Sequence, residues 1–293
     1  MAGVRYEDVV VVAIDGQEPD RFVLRWAAEE AADRGVALSV CHLWEWSSVD
    51  RAPQPLLEMS AGDVRSAPER VVDDAVGAVR AEFPDLPVSR TLGYGRPAPA
   101  LLALSDRAGM IVVGTRGTGG FAGLQLGSVS AQVAAHARCP VAVVRKPASG
   151  TAADVVVGVD GSAQSDHALR LGLAEARRFG GTLVAVHGYR LPPLPAAYAP
   201  NPGVDEKAHR ASAESVLDQA LADVEAATPE MKIERRIAAG PPARALLEAS
   251  AAGAAALVVG SRGLGGFAGL VLGSVSQQVV RHAPCPVIVA HGR

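Results

Sequence analysis

Cysteine, one-sided charge and long apolar runs are all scarce in this 293-residue chain. The three cysteines, Cys41, Cys139 and Cys285, form no CxxC pair and leave an odd count, which points to a reduced compartment. Lysine and arginine total 28 against 31 acidic residues, and the net charge of −3 comes with both signs scattered. That balance gives no electrostatic footprint for nucleic acid. No apolar run reaches membrane-spanning length. The opening MAGVRYEDVVVVAID carries Glu7 and Asp8 just before a run too short for a signal segment, so a cytoplasmic location is expected. The seven histidines offer no HxH or HExxH spacing, and a metal centre built on them is not expected.

What the chain has instead is repetition. Residues 114–130 read GTRGTGGFAGLQLGSVS and residues 260–276 read GSRGLGGFAGLVLGSVS, with only Thr115/Ser261, Thr118/Leu264 and Gln125/Val271 differing. The offset of 146 residues divides the chain almost in half. Halves of that size can each bury a core without staples. Cys139 and Cys285 fall at matching places, in RCPVAVV and PCPVIVA, and read as small buried residues where a helix gives way to a strand.

Both halves follow one plan. Each begins with a β-branched run ending in aspartate, VVVVAIDG (9–16) and VVVGVDG (155–161), as suits a strand buried on both faces of a parallel sheet. A helical stretch follows; in the first half Phe22, Trp26, Ala27 and Glu30 keep helical spacing, and Gly35 is placed to cap the end. Second strands, VALSVCHLW and TLVAVHGYR, align His42 with His187. Proline-bearing segments at 45–63 and 190–203 read as loops. Helices near 64–82 and 205–227 and strands near 87–92 and 232–238 come next. The turns GRPAPALLALSD and GPPARALLEASA then open helices with proline in the first turn. MIVVG and ALVVG run into the glycine loops, and VAVV and VIVA close the halves. This alternation predicts two tandem doubly wound α/β domains, 1–146 and 152–293, each a five-stranded parallel sheet flanked by helices and joined through RKPASGTAA.

In such sheets ligands sit beyond the carboxyl ends of the strands, where Asp15, Asp160, Gly114 and Gly260 fall. Each loop closes on Gly-Ser-Val-Ser, which opens the next helix. A helix N-terminus leaves backbone N–H groups unpaired and carries partial positive charge, so with glycines that admit close approach it suits phosphate. The blander possibility is that Ser128 caps its helix and the glycines let the loop cross. The inner GTGGFA and GLGGFA match G-x-G-x-x-A, but a dinucleotide fingerprint follows a first strand and has an acidic residue downstream. These loops follow the fourth strand and lack that acid. They also contain no lysine, which excludes the G-K-[ST] phosphate loop.

The spacing G-x2-G-x9-G-[ST], carried by Gly114, Gly117 and Gly127-Ser128 and again by Gly260, Gly263 and Gly273-Ser274, resembles the nucleotide signature of the ATP-binding branch of the universal stress protein family. The resemblance extends to the aspartate ending strand one, the strand-two histidine, the G-x-P-A turn and the final CPV strand, and the doubled domain is similar to the tandem actinobacterial type. It implies an adenine nucleotide alpha hydrolase-like fold holding ATP, with Mg2+ bound through the ATP phosphates. Asp15 and Asp160 would take the ribose, with Ala13 and Gly158 beside them, and backbone near Leu43 and Gly188 would read adenine. Gly117, Gly127, Ser128, Val129 and Ser130 would hold phosphates, as would Gly263, Gly273, Ser274, Val275 and Ser276. Gly114, Thr115 and Arg116, with Gly260, Ser261 and Arg262, complete the two sets; the arginines touch phosphate or are merely solvated. The family's serine after Asp-Gly is Ser162 in the second half, but Gln17 stands there in the first.

The resemblance further implies a homodimer through the final strands, an unidentified regulatory protein partner, and a role in stress response, dormancy or growth. No catalytic residue is expected, since the loops lack a lysine and an evident base for water. A slow ATP hydrolase and a ligand-independent dimeric scaffold remain as alternatives. His136 and His282 sit near helix C-termini, where the dipole accounts for them.

Overall fold

The computed structural model describes residues 9–16, 20–44, 61–115, 126–145, 153–190, 206–264 and 271–292. These fall into two compact units, one ending at Arg145 and the other beginning at Ala153. Of the loops expected at 45–63 and 190–203, residues 45–60 and 191–203 lie outside the described residues, while 61–63 already belong to a helix; residues 146–152 and the stretches 116–125 and 265–270 of the glycine loops also lie outside.

The first unit runs β1 (Val9–Ile14), α1 (Asp20–Asp33), β2 (Ala37–Trp44), α2 (Ala61–Glu82), β3 (Val88–Tyr94), α3 (Pro97–Ser105), β4 (Met110–Gly114), α4 (Ser128–His136) and β5 (Val141–Val144). The second repeats it as β6 (Val155–Gly158), α5 (Ala163–Phe179), β7 (Leu183–Tyr189), α6 (Glu206–Ala227), β8 (Ile233–Ala239), α7 (Pro242–Ala251), β9 (Ala256–Gly260), α8 (Ser274–His282) and β10 (Val287–Ala290). Strand order is β3-β2-β1-β4-β5 in one and β8-β7-β6-β9-β10 in the other, and the strands pair in parallel. The expected α/β class is therefore what the chain adopts. The chain leaves β1 toward β2 and later returns to its other side through β4, so the order reverses there. That reversal opens a crevice at the carboxyl ends of β1 and β4, and likewise of β6 and β9.

The central strands are valine-rich because helices cover both of their faces. Val10, Val12, Leu38, Ile111, Val157 and Val258 are all essentially inaccessible. The edge strands β3 and β8 are mostly half-exposed or exposed, and they carry charges that discourage edge pairing. Arg90 meets Asp73 at 2.6 Å, and Arg235 meets Glu225 at 2.6 Å.

Helical spacing in α1 holds, with one surprise in its meaning. Glu30, which kept step with the apolar stripe, is itself buried, and it is paired with Arg34 one turn on. Its counterpart Glu175 is buried too, meeting Arg178 at 3.0 Å, and the Arg178 guanidinium lies 4.0 Å over the Phe179 ring. Gly35 takes φ 66°, and Gly180 does the same after α5, where its N–H reaches back to the last turn. These left-handed turns end the helices as the sequence indicates. All three cysteines are buried.

Candidate functional site

In the second unit a cavity of about 390 Å³ lies beyond the carboxyl ends of β6, β7 and β9. Gly158 and Asp160 bring the end of β6 to it, Gly188 the end of β7, and Gly260 the end of β9. Pro242 and Leu246 of α7 form an apolar wall. Opposite stand Arg262 and Gly263, then the start of α8 from Gly273 to Ser276. Thus all the second-half residues expected from the sequence face one cavity except Ser261, which is buried and works through its backbone. The Ser261 N–H donates to Ala290 O at 2.9 Å, and its carbonyl accepts the Gly273 N–H at 2.8 Å.

Helix α8 presents its N-terminus unclosed. Gly273 is the N-cap, so Ser274 is the first helical residue rather than the cap, and no side chain closes the turn. The first helical bond of this turn runs from Gln277 N–H to Gly273 O at 2.9 Å. The N–H groups of Ser274, Val275 and Ser276 precede it and have no partner within the helix. Together they carry a partial positive charge of about half a unit. Gly273 itself has φ −64° and ψ 151°, which any residue adopts, and an added Cβ would meet nothing nearer than 3.5 Å. Neither backbone conformation nor protein packing demands glycine here.

The two serine hydroxyls that looked like extra phosphate donors behave differently from one another. Ser276 Oγ is buried and donates to Gly260 O at 2.6 Å, and Ser130 Oγ donates to Gly114 O at 2.6 Å in the first unit. Those hydroxyl protons pin the strand end to the helix start, so these residues offer a ligand only their N–H. Ser128 and Ser274 are exposed and keep their hydroxyls available.

Asp160 forms a clasp. One carboxylate oxygen accepts from the Ser162 N–H at 3.0 Å and from Ser162 Oγ at 2.6 Å. The other accepts the Leu264 N–H at 3.0 Å, tying the head of the glycine loop to the end of β6. Ser162 in turn caps α5 by accepting the Ser165 N–H at 3.2 Å. Each carboxylate oxygen has two lone pairs, so capacity remains for ligand hydroxyls. The sequence singled out Asp160 and Ser162 but not Leu264, whose contribution is a backbone N–H and leaves no signature in residue type.

The first unit has the same frame with different fittings. Arg116, Gly117 and Gln17 lie outside the described residues. Gly127 caps α4 as Gly273 caps α8, its N–H donating to Thr115 O at 2.7 Å, and Ser128, Val129 and Ser130 form the first turn. Asp15 follows β1, two residues after Ala13, and Gly114 ends the adjoining β4. Asp20, which sequence reasoning passed over, enters beside it from the first turn of α1. Its Oδ2 accepts the N–H of Asp15 at 3.0 Å and of Gly16 at 2.7 Å. Burial first, and then the neighbouring Asp15 charge, push the Asp20 carboxyl up to about 6, and the two carboxyls share a hydrogen bond. At the end of β2, Leu43 turns its side chain over Gly93, where a Cβ would lie only 2.7 Å from Leu43 Cδ2. Its counterpart Gly188 instead has Pro242 against it, and a Cβ there would come within 2.6 Å of Pro242 Cα.

His42 Nδ1 lies 2.9 Å from Ile14 O and His187 Nδ1 2.7 Å from Val159 O. Both rings stitch strand two to the end of strand one, which accounts for their position without a ligand. His136 and His282 occupy last helical turns as expected. Arg262 is exposed at the cavity. Among the described residues no group of three or more histidines, cysteines or carboxylates stands ready for a metal ion, and no helix is long and apolar enough to cross a membrane.

The model of the family described as "Universal stress protein family" matches residues 8–145 and again 153–291. A universal stress protein of Mycobacterium bovis is 34% identical over 301 residues, covering 99% of each chain. A universal stress protein of Mycobacterium tuberculosis strain H37Rv is 34% identical over 295 residues, covering 96% of this chain and 95% of its own. The crystal structure of a universal stress protein from Archaeoglobus fulgidus superposes with a TM-score of 0.68 at 21% identity, over 97% of this chain and 98% of that one, and so agrees in fold.

Proposed function

Because the chain belongs to the universal stress protein family, we propose that it is a cytoplasmic ATP-binding regulator of stress response, dormancy or growth, with one nucleotide site in each of two domains. The observation that carries this reading is Gly273. The fold would accept a side chain there, yet the position is bare, and the three residues whose N–H groups precede the first helical bond line a cavity of about 390 Å³ with no acceptor for those groups within the helix. A phosphate chain supplies those acceptors. The apolar wall of Pro242 and Leu246 suits a base, and Asp160, which lines the same cavity, suits a ribose hydroxyl. In the first domain Ala13, Asp15 and Leu43, with Gly114 to Gly117 and Gly127 to Ser130, take the corresponding parts.

The residues present also fit a divalent ion carried on the nucleotide. No cluster of protein ligands competes for it among the described residues, so Mg2+ would be held through the ATP phosphates and would neutralise part of their charge. The chain's own contribution is to bind and orient. The α8 N-terminus and the loop glycines hold the phosphates, and the Asp160 clasp sets the distance between loop and strand. Asp160, the one carboxylate lining the cavity among the described residues, is engaged in the clasp, so this reading makes any hydrolysis slow. A homodimer and a regulatory protein partner belong to the same reading; sedimentation of the purified chain tests the first.

The experiment is calorimetric titration of the full chain with Mg2+–ATP, together with mass spectrometry of small molecules released from freshly purified protein. Binding that disappears in the Gly117→Asp/Gly263→Asp double variant, with melting preserved, supports the reading. Absence of ATP binding by the wild-type chain refutes it.

A further inference from the structure

We infer that the two halves are unequal nucleotide sites, and that Asp20, standing where the second half has Ser165, makes the first the weaker one for an anionic ligand. The inference rests on the nucleotide reading above and goes beyond it in assigning a specificity-determining residue.

Ser165 lines the second cavity and is neutral. Its polar atoms are turned back on its own helix, the N–H toward Ser162 Oγ at 3.2 Å and the hydroxyl donating to Ser162 O at 2.8 Å. The same position of α1 carries the Asp20 carboxyl, held against the β1–α1 turn by the N–H groups of Asp15 and Gly16. One half therefore places a single carboxylate, Asp160, beside its strand end, and the other places two, sharing a hydrogen bond. An anionic ligand held at the carboxyl ends of β1 and β4 would meet that added negative charge, which the surrounding protein screens less than bulk water does.

A second difference acts in the same direction. Gly158 and Gly188 both line the second cavity, and their counterparts Ala13 and Leu43 carry side chains. Beside Gly158 an added methyl would already press on Leu246 at 3.2 Å, within the apolar wall. The first site thus carries more negative charge, and it has side chains where the second has glycines.

The test is titration of the full-length wild-type chain with Mg2+–ATP at about pH 8, well above the value of about 6 to which the Asp20 carboxyl is raised. Two classes of site are expected, one per half, separated by about tenfold or more in affinity. Asp20→Ser should tighten the weak class by about tenfold and leave the other unchanged. Asp20→Asn, which keeps the acceptor for both N–H groups should serine loosen the turn, is expected to do the same. Ser165→Asp should weaken the tight class by a similar factor. Two equivalent sites in the wild type, with Asp20→Asn unchanged, overturn the inference and leave the nucleotide reading standing. No binding to any of these proteins overturns both.

Discussion

Asp160 and Gly263 stand so close that a methyl group on Gly263 would lie 2.2 Å from Asp160 Oδ2. The glycine is there first to make room for a carboxylate of its own chain. The next residue, Leu264, then donates its N–H to that carboxylate, which fixes how the loop departs from β9.

Gly263→Ala should therefore unseat the clasp without reaching the core. The expected result is loss of ATP affinity by about a hundredfold, with stability falling by about 1 kcal/mol or less, as befits a loop position away from buried packing. Calorimetry paired with thermal melting reads both. Unchanged affinity would mean that the clasp does not set the site's geometry.

Ser276→Ala removes the hydroxyl that satisfies Gly260 O inside the protein. An unsatisfied buried acceptor costs about 1–3 kcal/mol, so urea unfolding should show a clear loss. Ser274→Ala, at an exposed position on the same helix turn, should change stability by about 0.5 kcal/mol or less. The contrast separates the structural serine from the one whose hydroxyl is available.

The Asp20 carboxyl makes stability depend on pH in a defined sense. Its ordinary value of 3.8 is raised to about 6 in the fold, so between those limits the folded state holds more protons than the unfolded one. Stability must then fall as pH rises from about 4 to about 6, and level off above. The expected contribution is on the order of 1–2 kcal/mol after solvent screening. Urea midpoints of wild type and Asp20→Asn across that range should converge in slope elsewhere and differ only there.

Burial pushes the Cys41 thiol up to about 12, and Cys139 and Cys285 are buried as well. The native chain should react negligibly with a thiol reagent at about pH 8 over minutes, because the thiolate is the nucleophile. In denaturant all three cysteines should titrate.

Much of this was legible in residue types. Valine runs ending in aspartate, the helical spacing of Phe22, Trp26 and Ala27, and Gly35 after α1 each express local physics that the fold retains. The glycine frame does begin at the carboxyl ends of β4 and β9. What stayed hidden depends on direction rather than identity. Nothing in the letters says that the Ser130 and Ser276 hydroxyls turn inward, that Gly127 rather than Ser128 is the cap, or that a backbone N–H of Leu264 completes the clasp. Asp20 was missed because an acidic residue in a first helical turn is ordinary. Only its return onto the Asp15 and Gly16 N–H groups, beside the Asp15 carboxyl, gives it significance.

The bare cap at Gly273 sets stability against affinity. A helix that supplies its own cap is more stable alone, and a helix left open is stabilised by what it binds. Aspartate at 273 would let α8 satisfy itself, raising the melting point of the empty protein while placing a negative charge where the phosphates belong. The natural chain forgoes that self-sufficiency, and on the proposed nucleotide reading its second domain would gain stability with the logarithm of ligand concentration once that exceeds the dissociation constant. If the proposed nucleotide reading holds, a protein built this way would register the supply of its ligand in its own resistance to unfolding.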